Sequence, residues 1–147
     1  MKKEVVIIIL VAVVSLIVLG LHPPDDTWLY PGMVNIGNYY PGAKTSYYIQ
    51  IHNAKNESRE FTVTYRNIER TKLGYDLPPV EAKDWVIITD PKPLIAANET
   101  RKILIVLAVP EDVIIESKKW EFGVVAKELG QGFVEEQLAC RFLVDMR

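Results

Sequence analysis

The chain has 147 residues, 49% of them hydrophobic and 24% charged, with a formal net charge of −2. That length suits one domain, and the apolar fraction excludes a wholly disordered chain. Without a basic excess there is no electrostatic footprint for nucleic acid, and the single cysteine, Cys140, excludes an internal disulfide framework or a CxxC zinc site.

Residues 5–21 (VVIIILVAVVSLIVLGL) carry no charge, and Ser15 is their only polar side chain. As a helix they reach ~25 Å, slightly short of a ~30 Å hydrocarbon core, and Lys2 and Lys3 can snorkel to make up the length. The same lysines place the N-terminus in the cytoplasm. A retained single-pass anchor and a cleaved signal peptide both fit, although Val18-Leu19-Gly20 is a poor cleavage site. Either device exports the remainder. The expected organisation is an anchor or signal peptide at 1–21, a stalk at 22–30 and a folded ectodomain at 31–147.

His22-Pro23-Pro24-Asp25-Asp26 begins the stalk, because two prolines forbid helix continuation. Beyond it the recurring period is two. A weak strand is expected over 33–36. Residues 45–52 alternate, with Tyr47, Ile49 and Ile51 on one face and Tyr48, Gln50 and His52 on the other. Phe61, Val63 and Tyr65 alternate with Thr62, Thr64 and Arg66. Residues 85–89 (WVIIT) and 102–109 (KILIVLAV) are apolar on both faces, as expected of central strands. Trp120, Phe122, Val124 and Ala126 point one way along 119–127. A closing strand over 133–145 points Leu138, Cys140, Phe142 and Val144 inward.

Pro31-Gly32 and Pro41-Gly42 suit the central positions of type II turns. Residues 53–57 and 129–132 read as hairpin loops, and 110–115 as one helical turn. Seven or eight strands in this span describe an all-β, antiparallel β-sandwich behind one N-terminal transmembrane helix.

Asn56-Glu57-Ser58 and Asn98-Glu99-Thr100 are N-glycosylation acceptors, each placed between strands. The connection over 67–84 is long and charged, either a solvated crossover or a binding loop. As a binding loop it would use Arg66, Arg70, Lys72, Tyr75 and Asp76, a set able to stack on sugars or pair with carboxylates. His52 ends a strand on its polar face with no second histidine or cysteine near it in sequence. GxGxxG, P-loop, HExxH and GxSxG motifs are absent. The chain is therefore expected to be no enzyme and to need no cofactor or metal.

The order of elements carries a resemblance. A Pro-Gly turn leads into a strand ending in Asn53. A tryptophan strand (Asp84-Trp85-Val86-Ile87) follows, then the turn Ala97-Asn98-Glu99-Thr100 before a strand ending in Val109-Pro110. A strand with Trp120 and Gly123 completes the set. This resembles the Ig-like modules of exported bacterial and archaeal surface proteins. It is similar to the peptidoglycan-binding type of WxL proteins and to alpha-galactosidase-associated modules. The resemblance implies a non-catalytic role in envelope attachment, adhesion or scaffolding, with an S-layer, wall polymer or membrane complex as partner. Exposed sheet edges would also allow homo-oligomers. The alternative is a structural subunit of a surface machine or archaeal virus envelope; one helix plus an Ig-like domain also resembles the plan of the archaellum stator. Scarce glutamine (Gln50, Gln131, Gln137) with plentiful Lys, Glu and Ile hints at a thermophilic source, which would favour an archaeal cell or archaeal virus.

Overall fold

The structure is a computed structural model that describes residues 26–130 and 137–147. The apolar run 5–21, the start of the stalk and the first part of the closing strand lie outside the described residues. No described helix is long and apolar enough to cross a membrane.

The described strands are β1 (Trp28–Tyr30), β2 (Met33–Tyr39), β3 (Lys44–His52), β4 (Arg59–Arg66), β5 (Val86–Ile88), β6 (Leu94–Ile95), β7 (Thr100–Ala108), β8 (Lys119–Glu128) and β9 (Gln137–Met146). A single helical turn, α1 (Ala82–Trp85), precedes β5. The strands form two sheets, ordered β1-β3-β7-β5 and β2-β9-β8-β4-β6. All pairings are antiparallel except β2 with β9. The expected all-β sandwich is present, with nine described strands rather than seven or eight.

The alternation read from the sequence selects the dry face correctly. Ile49, Ile51, Phe61, Val63, Trp120, Phe122, Val124, Ala126, Cys140, Phe142 and Val144 are all buried in one core. Aromatic rings join the two layers. Phe122 stacks on Phe142 at 4.8 Å and on Tyr65 at 5.6 Å, and Tyr47 of the opposite sheet meets Phe142 edge-on at 6.3 Å.

Several local expectations are corrected. Residues 85–89 are not a central strand: Trp85 closes α1, and β5 is a three-residue edge paired only with β7. Trp28–Tyr30, read as stalk, pairs with Tyr30↔Gln50 through Trp28↔His52. A three-residue strand behind two prolines is too short to show a period. Pro31-Gly32 is no type II turn, since Gly32 lacks a positive φ; the Tyr30–Pro31 bond is cis, and the chain there passes from one sheet to the other. Pro41-Gly42 is the turn expected, with Gly42 at φ +83° and the Ala43 N–H donating to Tyr40 O at 3.1 Å. Residues 53–57 form no hairpin loop, because β3 and β4 belong to different sheets. Residues 110–115 hold a turn at 111–112 and no helical turn.

Asn53 explains the crossing between layers. Fully buried, its Nδ2 donates to Glu57 O (2.8 Å), Ile95 O (3.0 Å) and Ala96 O (3.1 Å), and its Oδ1 accepts from Lys55 N (3.0 Å). One buried amide thus ties the β3–β4 crossing to the end of β6 and the residue after it.

At the opposite end Tyr39 does similar work. Its hydroxyl donates to Ala43 O at 2.5 Å and accepts from Val109 N at 3.1 Å. Burial raises its pKa above the ordinary phenol value, partly offset by the Val109 bond. Tyr39→Phe leaves the Val109 N–H buried without an acceptor. It is expected to cost about 1–3 kcal/mol, read as a lower urea midpoint at unchanged m-value.

Candidate binding surface at the crossover end

β1 starts at one end of the sandwich, beside His52 and Thr100. Asn56 and Asn98, the asparagines of the two N-x-[ST] triplets, are exposed at that entry end, in loops joined by the Asn98 N–H to Lys55 O bond at 3.2 Å. The connection 67–84 leaves from the C-terminal end of β4, at the opposite end.

This connection is pinned to the sheet, and the sequence signal for the pinning is Glu121. In β8, alternation turns Trp120 and Phe122 to the core, so Glu121 must point outward; yet it is fully buried. The connection covers it. Lys72 N donates to Glu121 Oε2 at 2.7 Å, and Arg141 of β9 pairs with Glu121 Oε1 while its Nη2 donates to Arg70 O at 2.8 Å. Gly123 sits under the same cover, where a Cβ would lie 3.3 Å from Arg66 O and 3.6 Å from Ile68. Past the end of β4, Asp76 takes over its place in the sheet: Asp76 N donates to Lys119 O (2.9 Å) and Glu121 N to Asp76 O (3.1 Å).

The five residues expected to bind therefore string along this cover rather than converge on one pocket. Asp76 Oδ2 accepts from Ser117 Oγ at 2.7 Å, and the Lys119 ammonium lies 5.7 Å from the centre of the Tyr75 ring. Tyr75 has its pKa raised, chiefly by its hydrogen bond to Asp145, then by burial and the negative charges of Asp145 and Glu121. Arg66, Arg70 and Lys72 are exposed. Arg66 borders a cleft of about 280 Å³ with Asn67, Ile68, Glu69, Val125 and Arg141.

Sequence reasoning missed the apolar part of this end. Leu77, Pro78 and Val80 line a cleft of about 460 Å³ with Asn67, Ile68, Glu69 and Lys83. Leu77 also meets Ile114 across a second cleft of about 330 Å³. Val80 is 84% and Ile114 92% exposed. The Leu77-Pro78-Pro79-Val80 run carried the signal, hidden because it has no period.

Among the described residues no cluster of three His, Cys, Asp or Glu is placed to hold a metal. Cys140 is fully buried, and burial pushes its thiol up to about 12 from 9.0; burial also raises Tyr65 to about 12. Raised values mean that the unfolded chain loses these protons first. Stability is thus full below pH 9 and falls as pH rises toward 12, by up to about 1.4 kcal/mol per pH unit from the thiol. Urea midpoints between pH 8 and 10.5 test this, and Cys140→Ala should flatten the slope that begins near pH 9.

No family model matches the chain, and no curated protein matches it. Solved structures do. The chain is similar to the ASH/PapD-like domain 7 of human CEP192, with TM-score 0.60 and 8% identity over 86% of this chain and 90% of that one. It is similar to the class 5 fimbriae chaperone CfaA, with TM-score 0.59 and 13% identity over 83% of this chain and 57% of that one. A third similar structure is the CsuC–CsuE chaperone–tip adhesion subunit pre-assembly complex of Acinetobacter baumannii, with TM-score 0.57 and 10% identity over 83% and 52%. The chain spans little more than half the length of these two chaperone chains. Such likenesses define the fold: an Ig-like, PapD-like β-sandwich.

Proposed function

We propose that the chain is a non-catalytic, single-pass membrane protein whose sandwich stands outside the cytoplasm and holds a partner protein of the cell envelope through its crossover end. The observation that carries this reading is the exposure of Leu77, Val80 and Ile114 together at the end opposite the chain's entry. Isolated surface apolar residues need no explanation, but three lining adjoining clefts mark an interaction site. The neutral run 5–21 with Lys2 and Lys3 supports the anchor and its orientation. A similar fold in a chaperone–subunit complex supports a protein partner over a polymer. The sandwich begins within seven residues of the apolar run, so the partner is a neighbour in the same membrane or the layer next to it.

Photo-crosslinking in native membranes tests this. A crosslinker at Val80 should give a discrete protein adduct that is lost on adding Leu77→Asp and Ile114→Asp, whereas one at Asn56 should not. Equal adducts from both ends, or an adduct indifferent to the aspartates, would overturn the reading. Release of the chain from membranes by alkaline carbonate would remove the anchor.

A further inference from the structure

A strand in a two-layer sandwich has one dry face, and its outward positions are ordinarily polar. The four-stranded sheet departs from this. β7 turns Leu104 and Val106 outward, in register with Tyr48 and Ile87 respectively. β1 adds Trp28 and Tyr30 to the same face, opposite His52 and Gln50. Trp28, Tyr30 and Tyr48 therefore step along the strand direction at intervals of about 7 Å. The Trp28 ring is stacked on His52, its cross-strand partner, at 5.1 Å. Among the described residues only one exposed aromatic side chain, Tyr40, lies elsewhere.

The strands of this sheet carry charge of one sign, and carboxylates such as Asp26 before β1 and Asp90 after β5 lie at its ends. β1, β3, β5 and β7 contain no Asp or Glu, while Lys44 and Lys102 alternate to the same side as the rings and are exposed. The other sheet carries Glu60, Glu121, Glu128 and Asp145.

We propose that this outer face docks on an anionic lipid surface, that of the membrane in which the chain is anchored; the inference rests on the anchored reading above. Rings with a polar edge, set with two lysines on strands that lack carboxylates, match the headgroup layer of an anionic bilayer. The length of chain decides for lipid over an acidic polysaccharide. Trp28 lies only seven residues past Leu21, within at most about 25 Å of extended backbone, so this face starts beside the bilayer. Lying against the lipid, the sandwich would turn its crossover end sideways, toward neighbours in the same membrane.

The test uses the full chain reconstituted in vesicles containing phosphatidylglycerol, with lipids brominated near the headgroup as quenchers. The chain has three tryptophans, and Trp85 and Trp120 are buried, so shallow quenching reports Trp28. Quenching is expected in anionic vesicles and should vanish in Trp28→Phe. It should weaken about 5-fold in docking equilibrium for each of Lys44→Gln and Lys102→Gln, and fall with added salt. Protein that resists carbonate extraction but leaves Trp28 unquenched would overturn the docking face and leave the anchor standing. Protein that carbonate extracts would overturn both. Shielding of Trp28 by soluble alginate, with no quenching by lipid, would assign the face to a polymer instead.

Discussion

Replacing Arg141 by alanine is expected to destabilise the sandwich by about 3–5 kcal/mol, clearly more than replacing its partner Glu121. The asymmetry follows from burial. Glu121 is fully buried, whereas the Arg141 side chain is 41% exposed. Arg141→Ala leaves a carboxylate out of water with the Lys72 N–H, at 2.7 Å, as its remaining donor in the structure. Glu121→Ala instead leaves a guanidinium that water can reach and that still donates to Arg70 O. Its cost is therefore nearer 1–2 kcal/mol, roughly that of the lost bonds. Replacing both by apolar residues of similar volume should cost less than Arg141→Ala alone, because no buried charge then lacks a partner. Urea unfolding of the two single variants and the double variant closes the cycle. Trypsin sensitivity within 66–76 should rise in Arg141→Ala, since the pair holds that stretch down. Equal costs for the two single variants would sink the argument.

The same residues show how far the sequence could be read. Period two identified the core side of β3, β4, β8 and β9, because a sandwich strand keeps one face dry along its whole length. It said nothing reliable about the second face. Glu121, Gly123 and Val125 alternate outward yet are all buried, since the crossover and neighbouring strands cover them. One acid between Trp120 and Phe122 was the only hint, and it looks identical to a solvated surface glutamate. The apolar outer positions of 85–89 and 102–109 suggested central strands. One of the two is central, the other is an edge, and the shared cause is an apolar outer face. The crossover was legible as a long irregular connection. Which of its side chains face solvent was not, because that depends on bonds made by backbone atoms of Arg70, Lys72 and Asp76.

Trp120→Ala is expected to cost about 3–5 kcal/mol, while Trp120→Phe should cost less than about 1.5 kcal/mol. Trp120 is fully buried between the layers, 6.4 Å from the Trp85 ring edge-on and 5.8 Å from Phe122. Truncation opens a cavity at the junction of α1 with β8, and the neighbouring rings can refill only part of it. Phenylalanine keeps most of the ring contacts. It also loses no hydrogen bond, because the buried indole Nε1 has no partner in the fold. A tryptophan held by its polar atom would pay for the change to phenylalanine twice, in volume and in an orphaned acceptor; here only volume counts. Differential denaturation of the two variants separates these possibilities. Since both buried tryptophans lie in apolar surroundings, Trp120→Phe should also lower the blue-shifted emission to the share of Trp85 and leave the Trp28 component unchanged. A cost for Trp120→Phe near that of Trp120→Ala would mean that the indole N–H is bonded after all.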